Sequence, residues 1–272
     1  MGNPKRQLST VRFESDQDHP QFVSAAARSL AILRCYDYGE QYLGNREIAL
    51  RTGLPKPTVS RLTFTLCSLG YLNYSRAREK YALGAVLLSL GNTYNRCNPV
   101  IAQARPLMQR FAEETESAVM LGAHDGMRMI LLAIAGGDGC PDLALEPGTR
   151  VPHGLTALGR ADLAARRPDL FQRELRELSL HCRPFEWPAI RDGILRARSD
   201  VTEHGYCYSL GDWREDIYAV GVPLVGQDPE RVLALSCGGP AASMSHQRLR
   251  EEIGPRLIRL RDQILATCRG QI

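Results

Sequence analysis

The chain has 272 residues, 44% apolar and 24% charged, an ordinary composition for one large or two modest globular domains, so disorder is not the default expectation. Its 34 basic and 30 acidic residues leave only +4, but residues 1–95 hold twelve Lys/Arg against seven Asp/Glu while the rest hold twenty-two against twenty-three. Within residues 41–81 seven basic side chains (Arg46, Arg51, Lys56, Arg61, Arg76, Arg78, Lys80) meet two acidic ones (Glu47, Glu79), a block suited to a polyanion.

Residues 1–22 are polar, of mixed charge and without period, and are expected to form a mobile tail. Residues 1–6 contain neither the apolar core of a signal peptide nor the Ser or Thr of a myristoylation motif. The most apolar stretch, 82–90, is about half the ~20 residues of a membrane span. The eight cysteines are never closer than 25 residues apart. A cytoplasmic protein with reduced thiols is expected.

From Ser24, a possible N-cap, Ala26, Leu30 and Leu33 recur with helical spacing. A short second helix follows Gly44-Asn45, with Asn45 as its cap, Glu47 in the first turn and Gly53 as its stop. Leu54-Pro55-Lys56-Pro57 opens a third helix, at Pro55 or Pro57. Its apolar stripe is Val59, Leu62, Leu66 and Leu69, which leaves Pro57, Ser60, Arg61, Phe64 and Ser68 on the opposite face, flanked by Lys56 and Thr65. Residues 71–74 and 80–83 read as strands around a basic turn. Three helices and a basic hairpin form a winged helix-turn-helix.

Leu83, Leu87, Leu90 and Tyr94 then mark an apolar stripe on a helix too short to be stable alone. It pairs either with a second copy of the chain or with its own C-terminal domain, and the two-fold symmetry of most operators favours the second copy. A helix over 100–115 follows. Residues 118–123 and 127–135 form a hairpin across His124-Asp125-Gly126, and 218–225 with 232–237 form another. Helices over 156–165, 189–204 and 247–268 surround them, giving an α+β class.

Arg46-Glu47-Ile48-Ala49-Leu50-Arg51-Thr52-Gly53-Leu54-Pro55-Lys56-Pro57-Thr58-Val59-Ser60-Arg61-Leu62, with Leu69-Gly70-Tyr71-Leu72 and Tyr81-Ala82-Leu83-Gly84, resembles the IclR family of bacterial transcriptional regulators. Arg105-Pro106-Leu107, Glu146-Pro147-Gly148-Thr149-Arg150-Val151-Pro152, Thr156-Ala157-Leu158-Gly159-Arg160-Ala161, Glu203-His204-Gly205-Tyr206 and Gly221-Val222-Pro223-Leu224 continue the likeness over residues 23–268. The resemblance implies a DNA-binding domain over 23–83, a linker or dimerisation helix over 84–102, and a GAF-like effector-binding domain over 103–272. It further implies a homodimer, or a dimer of dimers, on double-stranded operator DNA, modulated by a small organic acid.

The outward face of the third helix brings Pro57, Ser60, Arg61 and Phe64 to base edges, flanked by Thr65 on the DNA-binding side, with Arg61 pairing bidentately with guanine. Phe64 either meets a thymine methyl or packs on a neighbouring helix. Lys56 and Thr58 suit phosphates, the wing residues Arg76, Arg78 and Lys80 suit phosphate or minor-groove contacts, Arg46 belongs to the same DNA-binding set, and Lys80→Ala is expected to weaken all sequences alike. Arg28 matches a family arginine that contacts phosphate or forms an internal ion pair.

By position in the family, Thr156, Ala157, Leu158, Gly159, Ser209, Trp213, Ala219, Ser236, Cys237 and Gly238 correspond to effector-binding segments. Ser209-Leu210 stand where many members have acidic residues, and Ala219 where many have cysteine. With Tyr206, Tyr208, Trp213 and Tyr218 nearby in sequence, either an apolar or aromatic carboxylate is the effector they surround, or these aromatics belong to the core or a dimer surface. No G-x-S-x-G, H-E-x-x-H, C-x-x-C or Walker A motif occurs, so no enzyme, cofactor or metal is expected. Some of the six histidines and eight cysteines, for instance His204, Cys207 and Cys237, could meet in space as metal ligands, but each alone is more often a satisfied core residue. A ligand-independent scaffold or a small-molecule enzyme is the alternative for the C-terminal domain.

Overall fold

The computed structural model describes residues 21–37, 39–137 and 145–272. All but two residues of the expected mobile tail lie outside them. The chain separates into two compact units, Met1–Tyr94 and Asn95–Ile272, so the expected linker segment is shared between them.

The first unit contains α1 (Ser24–Arg34), α2 (Asn45–Thr52), α3 (Lys56–Ser68), β1 (Leu72–Ser75) and β2 (Lys80–Leu83). Its core is Ile32, Cys35, Leu43, Ile48, Val59, Leu66 and Leu72. The expected α1 stripe is corrected: Ala31, Ile32 and Cys35 are buried, while Leu30 is 56% exposed. The sequence SAAARSLAILR is apolar on more than one side, so the docking of α2 and α3 selects the buried face. Two caps also shift by one residue. Val23 precedes α1 without a side-chain cap, so Ser24 does not cap it. Gly44 precedes α2, and its N–H donates to Glu47 Oε2 at 2.7 Å. At the far end Gly53 takes φ +70, a left-handed conformation that favours glycine and turns the chain sharply into α3.

Pro55 is the cap of α3. Leu69 is 62% exposed, beyond the helix, and the buried stripe is completed instead by Thr63, whose hydroxyl donates to the Val59 carbonyl at 2.9 Å. A self-satisfied threonine needs no partner from outside the helix. β1 and β2 pair antiparallel from Leu72↔Leu83 to Ser75↔Lys80. A bridge between Leu43 and Tyr81, with N–H···O distances of 2.9 and 2.8 Å in the two directions, ties this wing to the start of α2.

The helix α4 (Val86–Cys97) spans the boundary and buries no residue. Of its expected stripe, Leu83, Leu90 and Tyr94 are exposed and Leu87 is half-buried.

In the second unit α5 (Pro99–Thr115) precedes a six-stranded antiparallel sheet of β3 (Ala118–Asp125), β4 (Arg128–Gly136), β5 (Arg150–Pro152), β6 (Cys207–Leu210), β7 (Ile217–Val225) and β8 (Val232–Pro240), in the order β5-β4-β3-β8-β7-β6. The two expected hairpins exist, and β3 pairs with β8 from Ala118↔Gly238 to Ala123↔Leu233 to join them into one sheet. One face packs on α5 and on α10 (Gly254–Thr267), burying Met108, Phe111, Val119, Leu121, Val220, Leu235, Cys237 and Leu257. The other packs on α6 (Ala157–Ala165) and α8 (Trp187–His204), burying Met129, Leu131, Leu158, Ala161, Ala197 and Ala234. The class is α+β, as expected.

A further helix, α7 (Pro168–His181), escaped the sequence reading. Its buried Phe171, Leu175 and Leu178 at i, i+4, i+7 and Pro168 at the first turn are the signal that marks it. The expected helix over 247–268 is broken into α9 (His246–Arg248), a π-helical turn at Leu249–Ile253, and α10. Pro255 cannot donate the backbone hydrogen bond that would make the helix uninterrupted.

Candidate functional site

On α3 every residue expected to face outward does so: Lys56, Pro57, Ser60, Arg61, Phe64, Thr65 and Ser68 are exposed. Phe64 is 74% exposed, which excludes its packing on a neighbouring helix of its own unit. Asn45 Nδ2 donates to Ser60 Oγ at 3.1 Å, fixing α2 against α3. Arg28 of α1 shares an open surface depression with Thr58, Ser60, Arg61, Phe64 and Thr65, so α1 and α3 present two guanidinium groups to one surface.

The basic block is less uniform than its composition suggests. Arg51 is turned inward, where Nη2 donates to Glu40 Oε1 at 2.8 Å, and Nη1 to the Cys35 carbonyl at 2.9 Å and to Glu40 Oε2. Lys80 Nζ lies 3.0 Å from Glu47 Oε2; the Gly44 N–H and Lys80 hold the Glu47 carboxyl below its ordinary range. Arg78 stacks over the Tyr42 ring at 4.8 Å. Arg46 and Arg76 are exposed. Positive charge not engaged by a carboxylate therefore resides on Arg28, Arg46, Lys56, Arg61, Arg76 and Arg78. The uniform loss of DNA affinity expected of Lys80→Ala moves to Arg76→Ala, which should lower the salt slope by about one while Lys80→Ala changes it less. Fluorescence anisotropy over a salt series measures both slopes, and equal slopes for the two variants would refute the distinction.

In the second unit a pocket opens between the N-terminus of α6 and the sheet, lined by Met120, Val151, Thr156, Ala157, Leu158, Ser209, Trp213, Arg214, Ile217, Ala219, Ser236 and Gly238. Eight of the ten residues expected from position converge here. Two do not. Cys237 is fully buried on the other face of the sheet, hydrogen-bonded through Sγ to Ser117 Oγ at 3.0 Å, because strand alternation sends Ser236 and Gly238 one way and Cys237 the other. Gly159 is a packing residue: a Cβ there would lie 2.0 Å from the His153 carbonyl oxygen, so α6 can approach the preceding chain only without a side chain.

Alternation also divides the aromatics between the two alternatives. Tyr206, Tyr208 and Tyr218 pack into the core beside α5 and α10, and only Trp213 of the four reaches the pocket. The residues missed in sequence are Met120, Val151, Ile217 and Arg214, whose guanidinium lies 4.9 Å from the Trp213 ring centre.

The pocket's hydroxyls are partly spent on the backbone. Thr156 Oγ1 donates to the Pro152 carbonyl at 2.7 Å and accepts from the Gly159 N–H at 3.1 Å, capping α6; Ser209 Oγ donates to the Leu155 carbonyl at 2.7 Å. This leaves the first-turn N–H groups of Ala157 and Leu158, without intrahelical acceptors, the Ser236 hydroxyl and Arg214 as donors beside a largely apolar wall. That arrangement suits an anionic head on an apolar body. The set His204, Cys207 and Cys237 is not brought together. Cys207 lies on the α6 face, its thiol donating to the Ala157 carbonyl and pushed up to about 12 by burial, while Cys237 lies on the opposite face. No helix among the described residues is long and apolar enough to cross a membrane.

Comparison with known proteins places both sites in context. The model of the IclR helix-turn-helix domain matches residues 25–76, and that of the bacterial transcriptional regulator IclR C-terminal region matches residues 93–265. The HTH-type transcriptional regulator TsaQ1/TsaQ2 of Comamonas testosteroni is 32% identical over 91% of this chain and 89% of its own. The crystal structure of an IclR family transcriptional regulator from Brucella abortus superposes with a TM-score of 0.84 at 39% identity, covering 95% of this chain and 96% of that one. An IclR homologue from Microbacterium hydrocarbonoxydans, crystallised with 4-hydroxybenzoate, shares the fold with a TM-score of 0.67 at 18% identity, over 90% and 99% of the two chains.

Proposed function

The chain belongs to the IclR family and is a transcriptional regulator with a DNA-binding helix-turn-helix and an effector-binding C-terminal domain; from that premise we propose that it binds operator DNA as a homodimer or dimer of dimers and responds to an aromatic carboxylate. α3 enters the major groove, Arg61 and Phe64 meet base edges, and Arg28, Arg46, Lys56, Thr58 and Arg76 hold phosphates. Exposed Val86, Leu90 and Tyr94, which share one side of α4, support pairing of that helix with a second copy, since an amphipathic helix gains stability mainly by burying its apolar face.

The effector reading rests on one observation: Trp213 and Arg214 stand together at the mouth of a mostly apolar pocket, across from the α6 N-terminus. The indole supplies a stacking face and the guanidinium a carboxylate partner. The cavity of about 40 Å³ is smaller than the roughly 150 Å³ that admits a benzene ring, so binding requires the pocket lining to open. The 4-hydroxybenzoate bound by the Microbacterium homologue supports the same ligand class.

Calorimetric titration with benzoates and with small hydroxy and keto acids tests the proposal, read alongside anisotropy on the DNA upstream of the gene. Benzoates should bind, shift the DNA affinity, and bind Arg214→Ala at least tenfold more weakly. Binding confined to small hydroxy or keto acids would overturn the effector class. Indifference to upstream DNA at low salt would overturn the operator reading.

A further inference from the structure

Away from the pocket, three side chains distant in sequence converge. His124 is near the end of β3, His153 lies between β5 and α6, and Glu174 belongs to α7. Each offers one ligand atom, and these atoms lie within 4.8 Å of one another. His124 Nε2 is 3.4 Å from Glu174 Oε2, and the two imidazole rings are 4.7 Å apart, centre to centre.

The hydrogen bonds around this cluster are unbalanced in a particular way. His153 is fully buried, and its Nε2 bonds to Asp162 Oδ2 at 2.8 Å. Asp162, also fully buried, is held by Arg166 Nη2 at 2.7 Å and so accepts the imidazole N–H. The other ring nitrogen, Nδ1, is left a lone pair with no hydrogen-bond partner. His124 Nε2 is likewise buried without one. Buried polar atoms are nearly always satisfied, and two orphaned imidazole nitrogens beside a buried carboxylate form a concentrated exception.

A divalent transition-metal ion satisfies all three groups at once. Histidine ligands characteristically donate their other ring N–H to a carboxylate, which fixes the tautomer and raises the basicity of the ligating nitrogen. Asp162, itself oriented by Arg166, supplies that carboxylate. Two imidazoles and one carboxylate are a ligand set found in zinc sites that keep a fourth position for water. Ligand atoms about 2.0–2.1 Å from a tetrahedral ion lie about 3.4 Å from each other, the separation already present between His124 and Glu174, so only the His153 corner has to draw in. His124 keeps 23% of its side chain exposed, which leaves a route for the ion.

We propose that His124, His153 and Glu174 form a zinc-class metal site that ties α7 to the sheet and to the segment leading into α6. The tie has a consequence for the pocket, because His153 is three residues before Thr156 and follows directly on Pro152, whose carbonyl Thr156 bonds. A metal on His153 therefore stiffens the wall from which α6 presents its N-terminal N–H groups. The site is independent of the effector and operator readings and is tested without DNA or effector.

The test uses full-length, tag-free protein stripped with a chelator and titrated with zinc against a competing indicator, with metal content measured after dialysis. One zinc per chain is expected, together with a rise in Tm, since an ion that binds only the folded chain stabilises it. Cobalt substituted for zinc should give the visible absorption of a four- or five-coordinate nitrogen and oxygen site. His124→Gln and Glu174→Gln, which keep similar volume and polarity, should each weaken zinc binding at least 100-fold and abolish the Tm rise while retaining the wild-type circular dichroism. Asp162→Asn should weaken binding by roughly 10–100-fold, the usual effect of losing a carboxylate behind a histidine ligand. Failure of the wild type to retain stoichiometric zinc, or wild-type zinc affinity in both His124→Gln and Glu174→Gln, would overturn the site.

Discussion

Arg160→Met is expected to destabilise the C-terminal unit by about 3 kcal/mol and to lower its Tm by roughly 6–12 °C. The Arg160 side chain is 4% exposed. Nε donates to the Gly154 carbonyl at 3.1 Å, and Nη1 to the Tyr208 carbonyl and to Asp212 Oδ2, both at 2.9 Å. Methionine fills similar volume but leaves two carbonyl groups without their donor and a carboxylate without its counter-ion. Breaking a buried pair costs about 3–5 kcal/mol, and the low end applies because Asp212 is 35% exposed and can be rehydrated. The three acceptors lie in the segment before α6, in β6 and in the turn before β7, so the guanidinium holds together the chain segments that carry Thr156, Ser209 and Trp213. Effector affinity should fall with stability.

The pH dependence identifies the cause. Burial raises the Asp212 carboxyl, but the hydrogen bond and charge of Arg160 outweigh it and hold the group below its ordinary 3.8. A depressed carboxylate contributes stability that is fully present above the unfolded value and is lost as pH falls through the folded one. The stability gap between wild type and Arg160→Met, measured by urea denaturation, should therefore be full at pH 7 and narrow below about pH 3.8. A gap of under 1 kcal/mol at pH 7 would show that the contacts do not clamp the domain.

Arg61→Ala is expected to cost about 1–3 kcal/mol of operator-specific affinity, a loss of roughly 5- to 150-fold, while changing fold stability by no more than about 0.5 kcal/mol. Both parts follow from placement. Arg61 is exposed on the second turn of α3, on the part of a recognition helix that reaches base edges. Its removal disturbs no core contact. Affinity for a random duplex should change far less, since phosphate contacts carry that binding. Anisotropy with operator and scrambled duplexes at two salt concentrations separates the terms, and equal operator affinity for wild type and Arg61→Ala would remove Arg61 from the readout.

Expectation and structure agree where an element's periodicity singles out one face. The outward face of α3 needed only the 3.6-residue repeat, because α3 has polar residues on one side and Val59 and Leu66 on the other. In α1, where apolar residues surround the helix, the same repeat selected Leu30 when the neighbours bury Ile32. The pocket shows a similar division. The positions of Thr156, Ser209, Ala219 and Ser236 followed from resemblance. Cys237 failed because assigning a face to β8 requires its register with β3 and β7, and Arg214 escaped because the turn that aims it has no period.

The sequence by itself determined the helix-turn-helix and its exposed reading face, the two strand pairs of the effector domain, the family, and the concentration of positive charge in the first third of the chain. These depend on residues close in sequence, whose hydrophobic spacing and turn chemistry act locally. Tertiary structure alone decided that Arg51 and Lys80 spend their charge on Glu40 and Glu47, that Arg160 spans three segments, and that His124, His153 and Glu174 meet. Ion pairs, cavities and ligand clusters form between residues that chain folding brings together across tens of positions, and their existence depends on distances of a few ångströms that no local pattern encodes.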